Sequence, residues 1–402
     1  MIDKIKCKII NFIDLPFFKN YIVIFSFWVL LGLISALLKI GSEHKMNNFL
    51  IFRGVFTHLI EQLPLYIEYP SEYFDQNYYG PIFSVLIAPF ALIPPKLGII
   101  FWHIALSIFM FFAVKDLPLS RIKKVIIYWL ISHELLTALF MSQFNIAIAA
   151  IIILSFTCIE KEKDFWAAFL IILGTFVKLY GIVGLAFFFF SKHKVKFIIS
   201  LAFWALILFV LPMFFTSPQY IIGQYSDWFT ALTSKNDSNM FATHQNISFL
   251  GIVRKISHCT QYSDLYLIFP GLLLFSLAYL RVNQFKYLSY RLTILASVLI
   301  FTVIFSTSSE SSGYIIAFSG VAIWYFSIPN EPKKLDLILL IFAFILTSMS
   351  PSDLFPLYLR KEFVQPYALK ALPCVLIWFR LVSQMVFKDY YLANFKKTNE
   401  EI

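Results

Sequence analysis

The sequence predicts an all-α polytopic membrane protein, and three observations predict it. Of its 402 residues, 59% are hydrophobic and only 14% charged, whereas soluble domains carry about 25% charged and 45–50% apolar residues. Aromatic residues reach 19%, with 47 Phe, which suits lipid-facing and helix-packing surfaces. The charged residues fall in short breaks between long apolar runs. A soluble core cannot absorb such an excess, so the bilayer must serve as a second apolar solvent.

The first run, 21–40, is long enough to cross roughly 30 Å of hydrocarbon. It is too long for a signal-peptide core and no small-residue cleavage site follows, so it reads as an uncleaved anchor. Lys4, Lys6, Lys8 and Lys19 before it place the N-terminus inside. Residues 41–80 form a first external loop. Within it, Phe49, Phe52, Phe56, Leu59 and Leu63 follow a helical stripe, and Arg53, Thr57 and Glu61 follow another. That pattern predicts an amphipathic helix lying on the membrane surface.

Residues 81–114 are apolar but broken at Pro94-Pro95, which ends a helix. The piece before the break is short for a span and reads as re-entrant or a half-helix, tolerated only when buried in protein. Basic groups bound the runs 125–159 and 165–190: Arg121, Lys123 and Lys124, then Lys161 and Lys163, then Lys192, Lys194 and Lys196. If all three groups are cytoplasmic, each run goes up and back, with turns near 141–145 and 178–181. The alternative leaves some basic groups outside. Residues 197–215 cross outward, 216–262 form a second external loop, and 263–387 supply the remaining helices. A tail, 388–402, returns to the cytoplasm. No repeat or linker divides the chain, so 1–402 is one membrane domain, with 81–215 as its core.

The net charge of +10 comes from 33 Lys+Arg against 23 Asp+Glu. The basic residues occupy topology-signal positions, which argues against nucleic acid. Cys7, Cys158, Cys259 and Cys374 form neither a CxxC pair nor a metal spacing. No HExxH, GxSxG, Walker A or GxGxxG pattern occurs, so neither a metal nor a cofactor is expected. Ionisable and amide groups inside apolar runs are functional candidates: His103, His133, Glu134, Gln143, Asn145, Lys178 and Glu310. Lys178 interrupts an apolar run near its middle, as a ligand or as a helix-end cap. His133 and Glu134 are adjacent, so they point to different neighbours. In the first loop, Glu61, Glu68, Glu72 and Asp75 stand among Tyr66, Tyr69, Tyr73, Tyr78 and Tyr79. Rings stack on sugar faces and a carboxylate can deprotonate an acceptor hydroxyl.

Three stretches carry a resemblance. Tyr78-Tyr79-Gly80-Pro81, Ala88-Pro89, Ile93-Pro94 and Trp102 form the first. Ser142-Gln143-Phe144-Asn145 is the second, and Ala167-Ala168 with Lys178-Leu179-Tyr180 is the third. Their order over about residues 45–215 resembles glycosyltransferase family 87 of the C superfamily, membrane-embedded mannosyltransferases that use polyprenyl-phosphate sugars. The resemblance implies a bundle of that superfamily's type, with roughly 10–13 transmembrane or half-spanning helices. It also implies an inverting hexosyl transfer. The donor would be a polyprenyl-phosphate sugar, and the acceptor a glycolipid or glycan at the outer face of a bacterial plasma membrane. Membrane lipids would be its other partners. The family's early catalytic Asp is matched here by Asn48. Its Tyr-Pro-Pro is Tyr-Gly-Pro, its Lys-x-Tyr-Pro is Lys-Leu-Tyr-Gly, and its late Ser-Pro-x-x-Trp-x-His region reads Ser306-Thr307-Ser308-Ser309-Glu310. A relocated base follows as an expectation: Asp75 first, then Glu61 or Glu310. Lys178 and Arg53 are the expected phosphate ligands, with Tyr79, Gln143, Asn145 and Asn48 completing the substrate site. Two rival classes are a transporter or lipid flippase, and a polymerase or ligase acting on lipid-diphosphate-linked glycans. A transporter predicts internal repeats and ionisable residues deep in several helices.

Overall fold

The computed structural model describes residues 16–259, 261–328 and 332–390. Lys4, Lys6, Lys8, Cys7 and the tail from 391 lie outside the described residues. Among the described residues there is no strand, and the chain is a bundle of helices.

α1 (Tyr21–Ile40) starts where the Asn20 side chain accepts the Ile22 N–H, and stops at Gly41. α2 (Glu43–Glu61) and α3 (Ile82–Ala91) pack on each other across the intervening loop. The apolar stripe of α2 is spent largely on protein: Phe52 lies edge-on to Tyr79, Phe83 and Trp102 at 5.0–6.2 Å. Leu63 falls beyond the helix and is exposed. Pro94-Pro95 stops α3 and opens α4 (Pro95–Asp116), with Pro95 at the first turn where a missing N–H costs nothing.

Two hairpins follow. α5 (Arg121–Phe140) turns over residues 141–144 into α6 (Asn145–Glu160). α7 (Asp164–Val177) turns at Lys178 into a 3-10 run, Leu179–Phe190. The 3-10 geometry answers a length problem. At about 2.0 Å per residue its 12 residues reach roughly as far, about 24 Å, as the 16-residue α6 does at 1.5 Å per residue. Gly174 and Gly181 let the arms touch: a Cβ on Gly181 would lie 2.2 Å from the Gly174 carbonyl carbon.

α8 (Lys194–Val210) leads to the stretch expected as a loop, 216–262. That stretch holds two helices, α9 (Pro218–Asn239) and α10 (Phe249–Ser257), each opened by a serine cap. α11 (Leu265–Ser276), α12 (Leu288–Ile304), α13 (Tyr314–Ser327), α14 (Lys334–Phe342, continued by a π turn, Ala343–Met349) and α15 (Leu372–Phe387) complete the bundle.

Among the described residues, four helical stretches are long and apolar enough to cross a membrane: Tyr21–Ile40, Pro95–Asp116, Lys194–Phe214 and Leu369–Phe387. α6, α12 and α13 are buried on nearly every face and form the centre. α1 and α8 turn leucine, isoleucine and phenylalanine outward, as a lipid solvent permits. Ion pairs and a hydrogen bond tie the chain's turns together at one end of the bundle. Lys161 bonds Asp116, Arg291 grips Glu160 through two bonds of 2.6 and 2.7 Å, Lys192 meets Glu162, and Arg281 reaches the Lys388 carbonyl. The opposite ends of these helices converge on a pocket.

Candidate active site

The pocket is a cavity of about 730 Å³. Its floor is the tips of the two hairpins and the 306–312 turn between α12 and α13. Residues 75–79 form one wall. α9 closes over it through Trp228, Leu232, Lys235 and Asn236, one helical stripe.

A directed chain of hydrogen bonds runs across the floor from a cation to a carboxylate. Lys178 Nζ donates to Asn145 Oδ1 at 2.7 Å, and Asn145 Nδ2 donates to Gln143 Oε1 at 2.8 Å. Gln143 Nε2 donates to Glu310 Oε2 at 2.5 Å, while Gln245 Nε2 donates to Glu310 Oε1 at 3.0 Å. Ser312 accepts from Asn145 and donates to Gln143, which fixes both amides in this orientation. An ammonium has three N–H donors; one is spent on Asn145. The faces of Tyr180 and Tyr79 lie 4.6 and 5.9 Å from Nζ.

The hairpin tips are held from behind. Asn48 Nδ2 donates to the Met141 carbonyl at 2.7 Å, Trp102 Nε1 donates to the Ser142 carbonyl, and His103 Nε2 meets Ser142 Oγ at 2.9 Å. Gly80 N–H donates to the Val177 carbonyl at 3.0 Å, next to Lys178. Neither link tolerates the residue the family resemblance expects: a carboxylate at 48 cannot donate, and a proline at 80 has no N–H.

Asp75 lies on the pocket wall, exposed, with a φ of +72°. Strained left-handed backbone at a non-glycine residue clusters at functional sites. Its Oδ1 accepts from Gln76 N–H at 2.8 Å and from the Tyr78 hydroxyl at 3.3 Å; no hydrogen bond among the described residues engages Oδ2. Burial, and then the Asp75 carboxylate, push the Tyr78 phenol up to about 12. Burial raises Tyr79 as well. Neither phenol is a proton acceptor near neutrality, so the Asp75 and Glu310 carboxylates and the His244 imidazole are the lining groups left for that role.

The structure therefore brings together Asp75, Glu310, Lys178, Tyr79, Gln143 and Asn48, with Asn145 one bond behind. It sets two candidates apart. Arg53 spends its Nε on the Ala91 carbonyl at 3.0 Å, pinning α2 to α3, and Glu61 is exposed at the end of α2; neither lines the cavity. Several lining residues escaped the sequence reading: Lys235, Arg360, Lys370, Gln245 and Trp228. Lys370 is buried and pairs with Glu134 at 3.1 Å while donating to the Ser311 carbonyl at 3.1 Å. Its signal was in the sequence, because an acid inside an apolar run requires a cation. His133 meets Ser348 instead, so the adjacent pair does serve two different helices.

A helical membrane body with a polar, cation-rich cavity at one end, holding two carboxylates, has the charged groups that a membrane-embedded enzyme needs. The chain belongs to glycosyltransferase family 87, whose model matches residues 77–307, more than half of the sequence. It is thus a glycosyltransferase by family. Tyr79, Gln143, Asn145 and Lys178 lie within the match, while Asp75 and Glu310 stand just beyond its two ends. Among curated proteins none matches the chain.

Proposed function

We propose that this glycosyltransferase moves a hexose, of the mannose type, from a polyprenyl-phosphate donor to a glycolipid or glycan acceptor, with inversion. The observation that carries the reading is the cationic floor of the cavity. Lys178 and Lys235 line it with no ion-pair partner among the described residues, whereas Lys370 and Arg360 are taken up by Glu134 and Asp353. Lys178 is the ligand of the donor phosphate, since Asn145 engages only one of its donors.

In this reading Asp75 Oδ2 takes the proton of the acceptor hydroxyl. The acceptor oxygen attacks C1 of the sugar from the face opposite the phosphate, and the C1–O bond to phosphate breaks with its electron pair. The departing polyprenyl phosphate gains negative charge beside Lys178. Glu310, gripped by two amides, is the fixed anion that orients the Gln143–Asn145 relay. The basic end of the bundle faces the cytoplasm of a bacterium and the cavity faces outward, following the bias of Lys and Arg toward the inner side.

The test is transfer by purified protein in lipid, supplied with a hexose on polyprenyl monophosphate. Wild type is expected to release the sugar to acceptor, and Lys178→Met to stay folded but lose donor binding. Unchanged donor affinity in that variant returns Lys178 to a helix-end role. Activity only with a lipid-diphosphate-linked glycan would replace the proposal by a polymerase or ligase. Passage of an intact lipid-linked sugar across the bilayer without transfer would replace it by a flippase.

A further inference from the structure

A second cavity, of about 580 Å³, opens beside the first. Leu179, Tyr180, Asn236 and Ser306 line both, and a 2.6 Å hydrogen bond between the Tyr180 and Ser306 hydroxyls forms the partition.

The polar pole of this cavity is Arg254, which is 1% exposed. Its Nη2 donates to Asp264 Oδ1 at 2.7 Å and to the Tyr262 carbonyl at 3.2 Å. Among the described residues its Nε and Nη1 have no acceptor and the Tyr262 hydroxyl has no partner, although the guanidinium carbon lies 4.3 Å from the Tyr262 ring centre. Buried donors are nearly always satisfied, and an unmet donor on a buried cation is costly. Asp264 meets one nitrogen only, so the pole retains unmet donors for further acceptor oxygens. The flank below is apolar and open: Ile182, Leu265, Ile268 and Phe305 line it, with Leu265 65% and Ile182 52% exposed.

We infer that the second cavity binds a phosphate-bearing lipid of its own, separate from the donor. Its phosphate meets Arg254 and the Tyr262 hydroxyl, and its chain lies along Ile182, Leu265 and Ile268. The occupant must offer anionic oxygens at one end and hydrocarbon at the other, because the pole and the flank demand both. The inference rests on the proposed function in naming Lys178 as the first phosphate site and in taking the acceptor to be lipid-borne. A transferase acting between two lipids needs two headgroup sites, and the Tyr180–Ser306 partition keeps them apart while leaving them adjacent.

Native mass spectrometry of the full chain in detergent, titrated with a short-chain polyprenyl phosphate, counts the sites. Wild type is expected to bind two lipids. Lys178→Met, Arg254→Met and Ile268→Trp, which fills the second cavity at a partly exposed position, should each bind one. Ile268→Trp decides the matter where Arg254→Met does not fold. The matching prenyl alcohol and inorganic phosphate should bind at neither site. A single lipid, lost in Lys178→Met and kept in Ile268→Trp, overturns the second site and preserves the donor reading. A single lipid with the opposite pattern keeps the second site and overturns Lys178 as donor ligand. Saturation of the Arg254 site by inorganic phosphate alone also overturns the inference.

Discussion

Asn48 shows how much of a site one atom decides. Its amide donates to the Met141 carbonyl and so holds the tip of the hairpin that carries Gln143 and Asn145. Asn48→Asp would set a carboxylate against that carbonyl, losing the bond and adding repulsion. The expected cost is about 0.5–1.5 kcal/mol of stability, read as a lowered unfolding temperature, with no gain in transfer rate. A rise in rate would mean that position 48 can still serve as the base. Asp75→Asn is expected to lower turnover by about 10²–10⁴-fold with donor binding intact, whereas Glu61→Gln, at an exposed helix end, should leave turnover near wild type. Wild-type turnover in Asp75→Asn together with loss in Glu310→Gln would transfer the role to Glu310. Residues that meet locally were legible: Asp75, Tyr79 and the 142–145 turn are read off adjacent positions. The Lys370–Glu134 pair spans 236 positions, and single-chain pattern reading has no means of joining partners so far apart.

The hairpins were legible as elements because charge marks their bases and a polar tip marks each turn. Their geometry was not: a 3-10 return arm has no sequence period distinct from a short apolar helix. α9 went unread for a different reason. It is polar on most faces, so its only signature is the stripe through Trp228, Leu232, Lys235 and Asn236, which faces the cavity rather than an apolar core. The close contact of the second hairpin gives a direct test. A methyl on Gly181 would lie 2.2 Å from the Gly174 carbonyl carbon and the Thr175 nitrogen. Gly181→Ala should therefore part the arms and cost about 1–3 kcal/mol or more. Because the arms meet beside Lys178, donor affinity should fall with stability. Stability lost without any change in affinity would show that the turn positions Lys178 independently of its arms.

Over the whole molecule, composition alone was enough for the class, since no soluble core could house so many apolar residues. The separation of a basic end from a cavity end emerges only when α1, α4, α5, α6, α7, the 3-10 run, α8, α11, α12, α13, α14 and α15 are followed back and forth. That separation predicts a labelling pattern. Cys259, exposed near the cavity end, should react with an impermeant thiol reagent in intact cells, whereas Thr398→Cys should react only after permeabilisation. Equal labelling of both sites would reject the orientation. The buried Glu134–Lys370 pair carries a consequence for biogenesis. Glu134 is synthesised 236 residues before its partner, which at about 5–20 residues per second is an interval of roughly ten to fifty seconds. Throughout that time the nascent bundle holds an orphan acid, which pairs once the stretch Leu369–Phe387 has been made. A polypeptide released before Lys370 is made therefore keeps an unpaired acid in its apolar interior.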